Sequence, residues 1–90
     1  MGTPAVTVEL LGLARFRAGV SEVRAEGRTV GDLLRAVVRQ CPGLTGLVTD
    51  SGALTRQYLV SMDGERFIDD PGEPVAAGCR VLILGADAGW

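Results

Sequence analysis

Apolar and polar residues alternate near the start of the chain: Val6, Val8 and Leu10 fall on one side, Thr7, Glu9 and Leu11 on the other. A period of two sends successive side chains to opposite faces, so residues 5–11 predict a strand with one covered face. Residues 20–26 alternate again, with Ser21, Val23 and Ala25 against Glu22, Arg24 and Glu26. Between them, residues 12–19 carry Arg15, Phe16 and Arg17 and read as a loop or a loose helical turn. So short a connection favours antiparallel pairing of the two strands.

The period then changes. Val30, Leu33, Leu34, Val37, Val38 and Cys41 recur at the spacing of one buried helical face, with Arg35, Arg39 and Gln40 on the solvent side. Thr29 is placed to cap this helix, and Asp32 three residues on completes an aspartate version of the capping box. Pro42-Gly43 stops it. Residues 44–54 are only patchily apolar and predict a loop with at most one helical turn. Residues 58–62 predict a third strand and residues 65–68 its short partner. Asp63-Gly64 joins them as a hairpin turn in which both central positions want positive φ. Residues 69–74 are a turn-rich loop. The last strand, residues 79–84, holds Val81-Leu82-Ile83-Leu84, the unbroken apolar run of a central strand covered on both faces.

Five strand segments and one clear helix leave one economical arrangement, in which the helix covers one face of the sheet and the last strand lies parallel beside the first. The predicted class is α+β, a β-grasp (ubiquitin-like) fold: a mixed sheet of four to five strands covered on one face by one main helix. Residues 1–84 form this domain, and residues 85–90, Gly85-Ala86-Asp87-Ala88-Gly89-Trp90, are expected as a flexible C-terminal tail. Packing gives no reason for a slender tail of small residues that finishes on the bulkiest side chain of all.

Ninety residues, 47% hydrophobic and 22% charged, match one ordinary globular domain. No apolar run is long enough to cross a bilayer, and the first residues lack the basic and apolar regions of a signal peptide, so a cytoplasmic protein is expected. A net charge of −2 weighs against nucleic acid as a partner. All nine basic residues are arginine, so no side-chain amine is available for isopeptide or Schiff-base chemistry. Histidine is absent, which removes the commonest general base and metal ligand. Cys41 and Cys79 lie far apart and read as small core residues rather than a disulfide or a zinc site. Asp69 and Asp70 read as a solvated turn, and Arg15, Arg17 and Arg24 as solvated charges. Leu54, Tyr58 and Met62 fit either an exposed docking face of the sheet or its core. Nothing here makes a self-contained enzyme, and no metal or cofactor is expected.

Several stretches carry a resemblance. Val6-Thr7-Val8-Glu9-Leu10-Leu11-Gly12-Leu13-Ala14-Arg15 is similar to the opening strand and small-residue turn of the MoaD/ThiS-type sulfur carriers, relatives of the molybdopterin synthase small subunit and the thiamine sulfur carrier. Glu26-Gly27-Arg28-Thr29-Val30-Gly31-Asp32-Leu33-Leu34 resembles that family's "GxTVGDLL" helix start, and Pro42-Gly43-Leu44 its usual helix end. Ser61-Met62-Asp63-Gly64-Glu65 stands at the family's "VNGE"-like hairpin, and residues 75–84 at its acidic segment and last strand.

The resemblance implies a ubiquitin-like protein co-substrate, not an enzyme. A terminal glycine carboxylate is adenylated by a ubiquitin-activating-type enzyme and converted to a thiocarboxylate. Sulfur then passes to a synthase or large subunit in cofactor or metabolite biosynthesis, along molybdopterin, thiamine, cysteine or related routes. Family carriers finish in Gly-Gly, whereas this sequence reads Ala88-Gly89-Trp90. The implied acyl and thiocarboxylate site is therefore Gly89, with Ala88 behind it, exposed once a C-terminal peptidase has removed Trp90. The alternative is a non-catalytic ubiquitin-like binding module or subunit that has lost carrier chemistry, with Trp90 as an anchor in a partner's pocket.

Overall fold

A computed structural model describes residues 5–45 and 58–85. In chain order the elements are β1 (Ala5–Leu11), α1 (Leu13–Ala18), β2 (Glu22–Glu26), α2 (Val30–Gln40), a 3₁₀ turn (Pro42–Leu44), β3 (Tyr58–Met62), β4 (Arg66–Ile68) and β5 (Arg80–Gly85). The strands form one five-stranded sheet in the order β2-β1-β5-β3-β4. β5 runs parallel to β1, with Val8 opposite Val81 and Leu10 opposite Ile83, and antiparallel to β3. The two hairpin pairs, β1–β2 and β3–β4, are antiparallel. This is the predicted mixed β-grasp sheet, with the last strand at its centre.

The core lies between the sheet and α2. Val6, Val8 and Leu10 of β1, Val81 and Ile83 of β5, and Val30, Leu33, Leu34 and Val37 of α2 are all buried. Each large aliphatic side chain removed from water in this way contributes about 1.5–3 kcal/mol. The predicted helix forms as its sequence specifies: the Thr29 side chain accepts a hydrogen bond from the Asp32 backbone N–H at 3.2 Å. Asp63 and Gly64 have φ of 57° and 72°, the left-handed pair of a tight turn closed by the Glu65 N–H donating to the Met62 carbonyl at 3.1 Å. Met62 pairs with Arg66, so Glu65 belongs to this three-residue loop and β4 begins at Arg66 rather than at residue 65.

Some details differ from the sequence reading. Residues 13–18 form a helix, α1, that the mixed polarity of Arg15-Phe16-Arg17 obscured, because only Ala14 within it is buried. Gly19 closes it in the left-handed region, its N–H donating to the Arg15 carbonyl. β2 begins at Glu22 rather than at residue 20, since Val20 is exposed and no partner register reaches it. Tyr58 and Met62 are core residues, which decides the alternative left open for them; Leu54 lies outside the described residues. Cys41 is buried and Cys79 half-buried against the core, both as free thiols.

Candidate functional site

The residues expected to carry the chemistry, Ala88, Gly89 and Trp90, lie outside the described residues. The structure does position the strand that leads to them. β5 runs one residue further than its apolar run predicts, through Gly85, which pairs with Tyr58 of β3. Leu84 sits between Leu11 of β1 and Leu59 of β3, so the strand is held on both sides up to its last turn. A Cβ added at Gly85 would come within 2.8 Å of the Leu13 Cβ, so α1 packs directly against the end of β5. Arg17 donates from Nη1 to the Tyr58 hydroxyl at 3.1 Å, tying α1 to the start of β3. The end of β5 is thus enclosed by β1, β3 and α1. Phe16 projects from this helix 83% exposed, between Arg15 and Arg17.

Alternation along the strands defines a second face, opposite α2. Because Val6, Val8 and Leu10 point into the core, Thr7, Glu9 and Leu11 take the other side. The registers extend this into cross-strand rows. Leu11, Leu84 and Leu59 make one row; Glu9, Leu82, Ser61 and Phe67 make the next; Thr7 and Arg80 begin the third. Directly opposed residues in such rows stand about 5 Å apart at Cβ. Leu11, Leu59, Leu82, Leu84 and Phe67 therefore form one apolar strip beside the end of β5. Phe67 is 63% and Leu59 37% exposed. The polar margin of the face is internally paired: Arg80 meets Glu9 at 3.0 Å, and Arg24 reaches the Thr7 hydroxyl at 3.5 Å.

Among the described residues, little else is arranged for reaction. Burial pushes the Cys41 thiol above its ordinary value, which keeps it protonated and unreactive. Among the described residues, no group of three or more His, Cys, Asp or Glu side chains converges as metal ligands do. Asp70 instead accepts the Gly72 N–H at 2.8 Å in its own turn, as the sequence reading expected of the Asp69-Asp70 pair. Two surface features are not evident from the sequence, α1 with its exposed Phe16 and the apolar strip. The first had one signal, a phenylalanine between two arginines and two glycines. The second had another: Leu59, Leu82 and Phe67 occupy the positions that alternate with the core.

No protein-family model and no curated sequence matches the chain. Solved structures do. SAMP1 from Haloferax volcanii is 29% identical, with 96% of this chain and 99% of that chain covered and a TM-score of 0.80. A second crystal structure of H. volcanii small archaeal modifier protein 1 is 30% identical, with 90% and 95% of the two chains covered and a TM-score of 0.74. A chain of the Amycolatopsis orientalis BexX/CysO complex is 25% identical, with 94% and 99% covered and a TM-score of 0.76. Sheet order, helix position, motif placement and end-to-end similarity converge on one assignment: the chain belongs to the MoaD/ThiS-type ubiquitin-like sulfur-carrier family.

Proposed function

We propose that the protein is a sulfur carrier whose acyl site is the Gly89 carboxylate, exposed by removal of Trp90. A carboxylate oxygen attacks the α-phosphorus of ATP on a ubiquitin-activating-type partner, and pyrophosphate leaves. Hydrosulfide supplied by a sulfur-delivering partner then attacks the acyl carbon and AMP leaves, giving the thiocarboxylate, which donates that sulfur to an acceptor held by a synthase or large subunit. The carrier contributes no acid, base or metal to these steps. Its role is to present a reactive end at a fixed distance from a rigid docking body, as a cytoplasmic co-substrate of enzymes that use ATP.

One observation carries this reading: residues 86–90 follow directly on β5, the central strand, which is paired on both sides through Leu84 and with β3 through Gly85. Because β5 itself is fixed in register with its neighbours, docking the sheet fixes the point from which residues 86–90 start. The composition of residues 86–89, Ala-Asp-Ala-Gly, supports passage through a narrow channel, because none of these side chains branches beyond Cβ except that of Asp87. Gly89 lacks a Cβ and tolerates the sharp turn that an adenylate site imposes. The similar Amycolatopsis orientalis chain is seen in complex with another protein, which supports a working mode through partners.

Mass spectrometry of protein purified from its own host tests the proposal. The expected species lacks Trp90 and carries sulfur in place of one carboxylate oxygen at Gly89. Intact Trp90 in every preparation, together with no adenylation by the cognate enzyme after engineered removal of Trp90, would reject carrier chemistry. That outcome leaves the binding-module reading, with Trp90 as the anchor.

A further inference from the structure

The helix side of the molecule carries a feature that the tail chemistry does not use. Asp32, Arg35 and Arg39 are spaced three and four residues apart on α2, the repeat of a single helical stripe. Arg28 lies outside the helix, one residue before the extended Thr29 cap, and lines the same groove. With Glu26 and Gly27, these residues line a groove of about 440 Å³ between the β2–α2 turn and the outward stripe of the helix. Gly27 shapes its wall: a Cβ there would collide with the Leu33 backbone nitrogen, so the turn lies tight against α2.

The charges in this groove are not used up internally. Arg35 meets Asp32 at 3.8 Å, with both side chains about half exposed, and an open pair of that length contributes little. Among the described residues, the Arg28 and Arg39 side chains make no hydrogen bond or ion pair. Three guanidinium groups thus line one groove on a chain whose net charge is −2. Arg35 and Arg39 are about 6 Å apart along the helix axis at 1.5 Å per residue. Each guanidinium is a planar fork that matches a carboxylate, and that spacing matches acids one turn apart on a partner. Glu26 and Asp32 line the groove with these arginines, which penalises an unbroken run of phosphates and suits a segment of mixed charge with an acidic excess.

We propose that this groove is a docking site for an acidic segment of a partner protein, carboxylate-rich and engaged by Arg28, Arg35 and Arg39. It lies on the helix side of the sheet, whereas the apolar strip lies on the opposite face. A partner held at the groove leaves the strip and the end of β5 uncovered, so the site does not depend on the sulfur-carrier reading.

The test is an amide chemical-shift titration of the isotopically labelled full chain. The probe is a synthetic helical peptide with glutamates one turn apart. Its controls are the same peptide with glutamine in place of glutamate, inorganic phosphate, and a short single-stranded RNA. The glutamate peptide is expected to shift amides within residues 26–39, and the glutamine peptide is not. Raising salt from roughly 50 mM to roughly 300 mM is expected to weaken binding about tenfold, since exposed charge pairs are screened. The double variant Arg35→Glu with Arg39→Glu loses binding while its circular dichroism and Tm match the parent. Should that variant misfold, Arg35→Gln with Arg39→Gln keeps good helix formers in place and is expected to weaken binding in the same direction. Shifts centred on the open sheet face, binding that survives both variants, equal shifts from inorganic phosphate, or tighter binding of RNA would each overturn the proposal.

Discussion

Gly27 stands where Glu26 leaves the sheet and the chain turns into α2, and the Leu33 backbone fills the space a side chain would need. At the other end of the helix, Gly43 faces the Arg17 carbonyl oxygen of α1 just as closely. In both cases the obstructing atom is backbone, which no rotamer change can move aside. Gly27→Ala is therefore expected to lower stability by about 2–3 kcal/mol, seen as a lower urea midpoint at unchanged m-value. A loss within experimental error would show that the turn shifts freely away from α2. From the sequence, Gly27 and Gly43 were visible only as parts of motifs, because a backbone approach between residues six or twenty-six positions apart leaves no local pattern. The cysteines were more legible. Cys41 sits at an apolar helical position, and the structure buries it with a thiol pushed up by that burial.

Among the elements, α2 and the β3–β4 hairpin were written locally. The cap, the apolar stripe and the stop signal of α2 all lie within 15 residues, Thr29 to Gly43. The hairpin does more than reverse the chain. Asp63 accepts the Arg80 N–H through Oδ1 at 2.8 Å and donates its own N–H to the Arg80 carbonyl at 2.7 Å. The turn thereby grips the first residue of β5 as well as adopting a φ of 57°. Asp63→Ala removes the side-chain acceptor and leaves a residue that tolerates this conformation poorly, at an expected cost of about 1–2 kcal/mol. Asp63→Asn keeps both an acceptor and the tolerance for positive φ, and is expected to recover most of that loss in the same thermal melt. Equal losses for the two variants would remove the grip on β5 as the explanation. α1 was not legible in the same way. Its six residues bury only Ala14, so its helical state depends on packing against β1, β5 and the 3₁₀ turn rather than on its own periodicity.

At the scale of the whole molecule, β5 is the last strand in the chain and the middle strand of the sheet, which makes the end of the sequence continuous with its most constrained part. The strip of Leu11, Leu59, Leu82, Leu84 and Phe67 runs beside that exit, with Leu59 and Phe67 open to solvent. Replacing both exposed members, Leu59→Arg with Phe67→Arg, is expected to change folding stability by only about 0.5 kcal/mol, since neither fills the core. If the sheet face docks the adenylating enzyme, kcat/KM for adenylation should fall about tenfold or more, as for loss of apolar anchors at an interface. Unchanged kinetics in the folded variant would remove the strip from the docking surface. The sequence by itself determined the strands, the main helix, the parallel placement of β5 and the family, because period, caps and turn chemistry act over a few residues and survive in any single chain. Tertiary structure alone decided the helical state of α1, the fate of Tyr58 and Met62 in the core, the apolar strip and the arginine groove. Each of these joins residues from separate elements, and only strand register and helix docking set which of them meet.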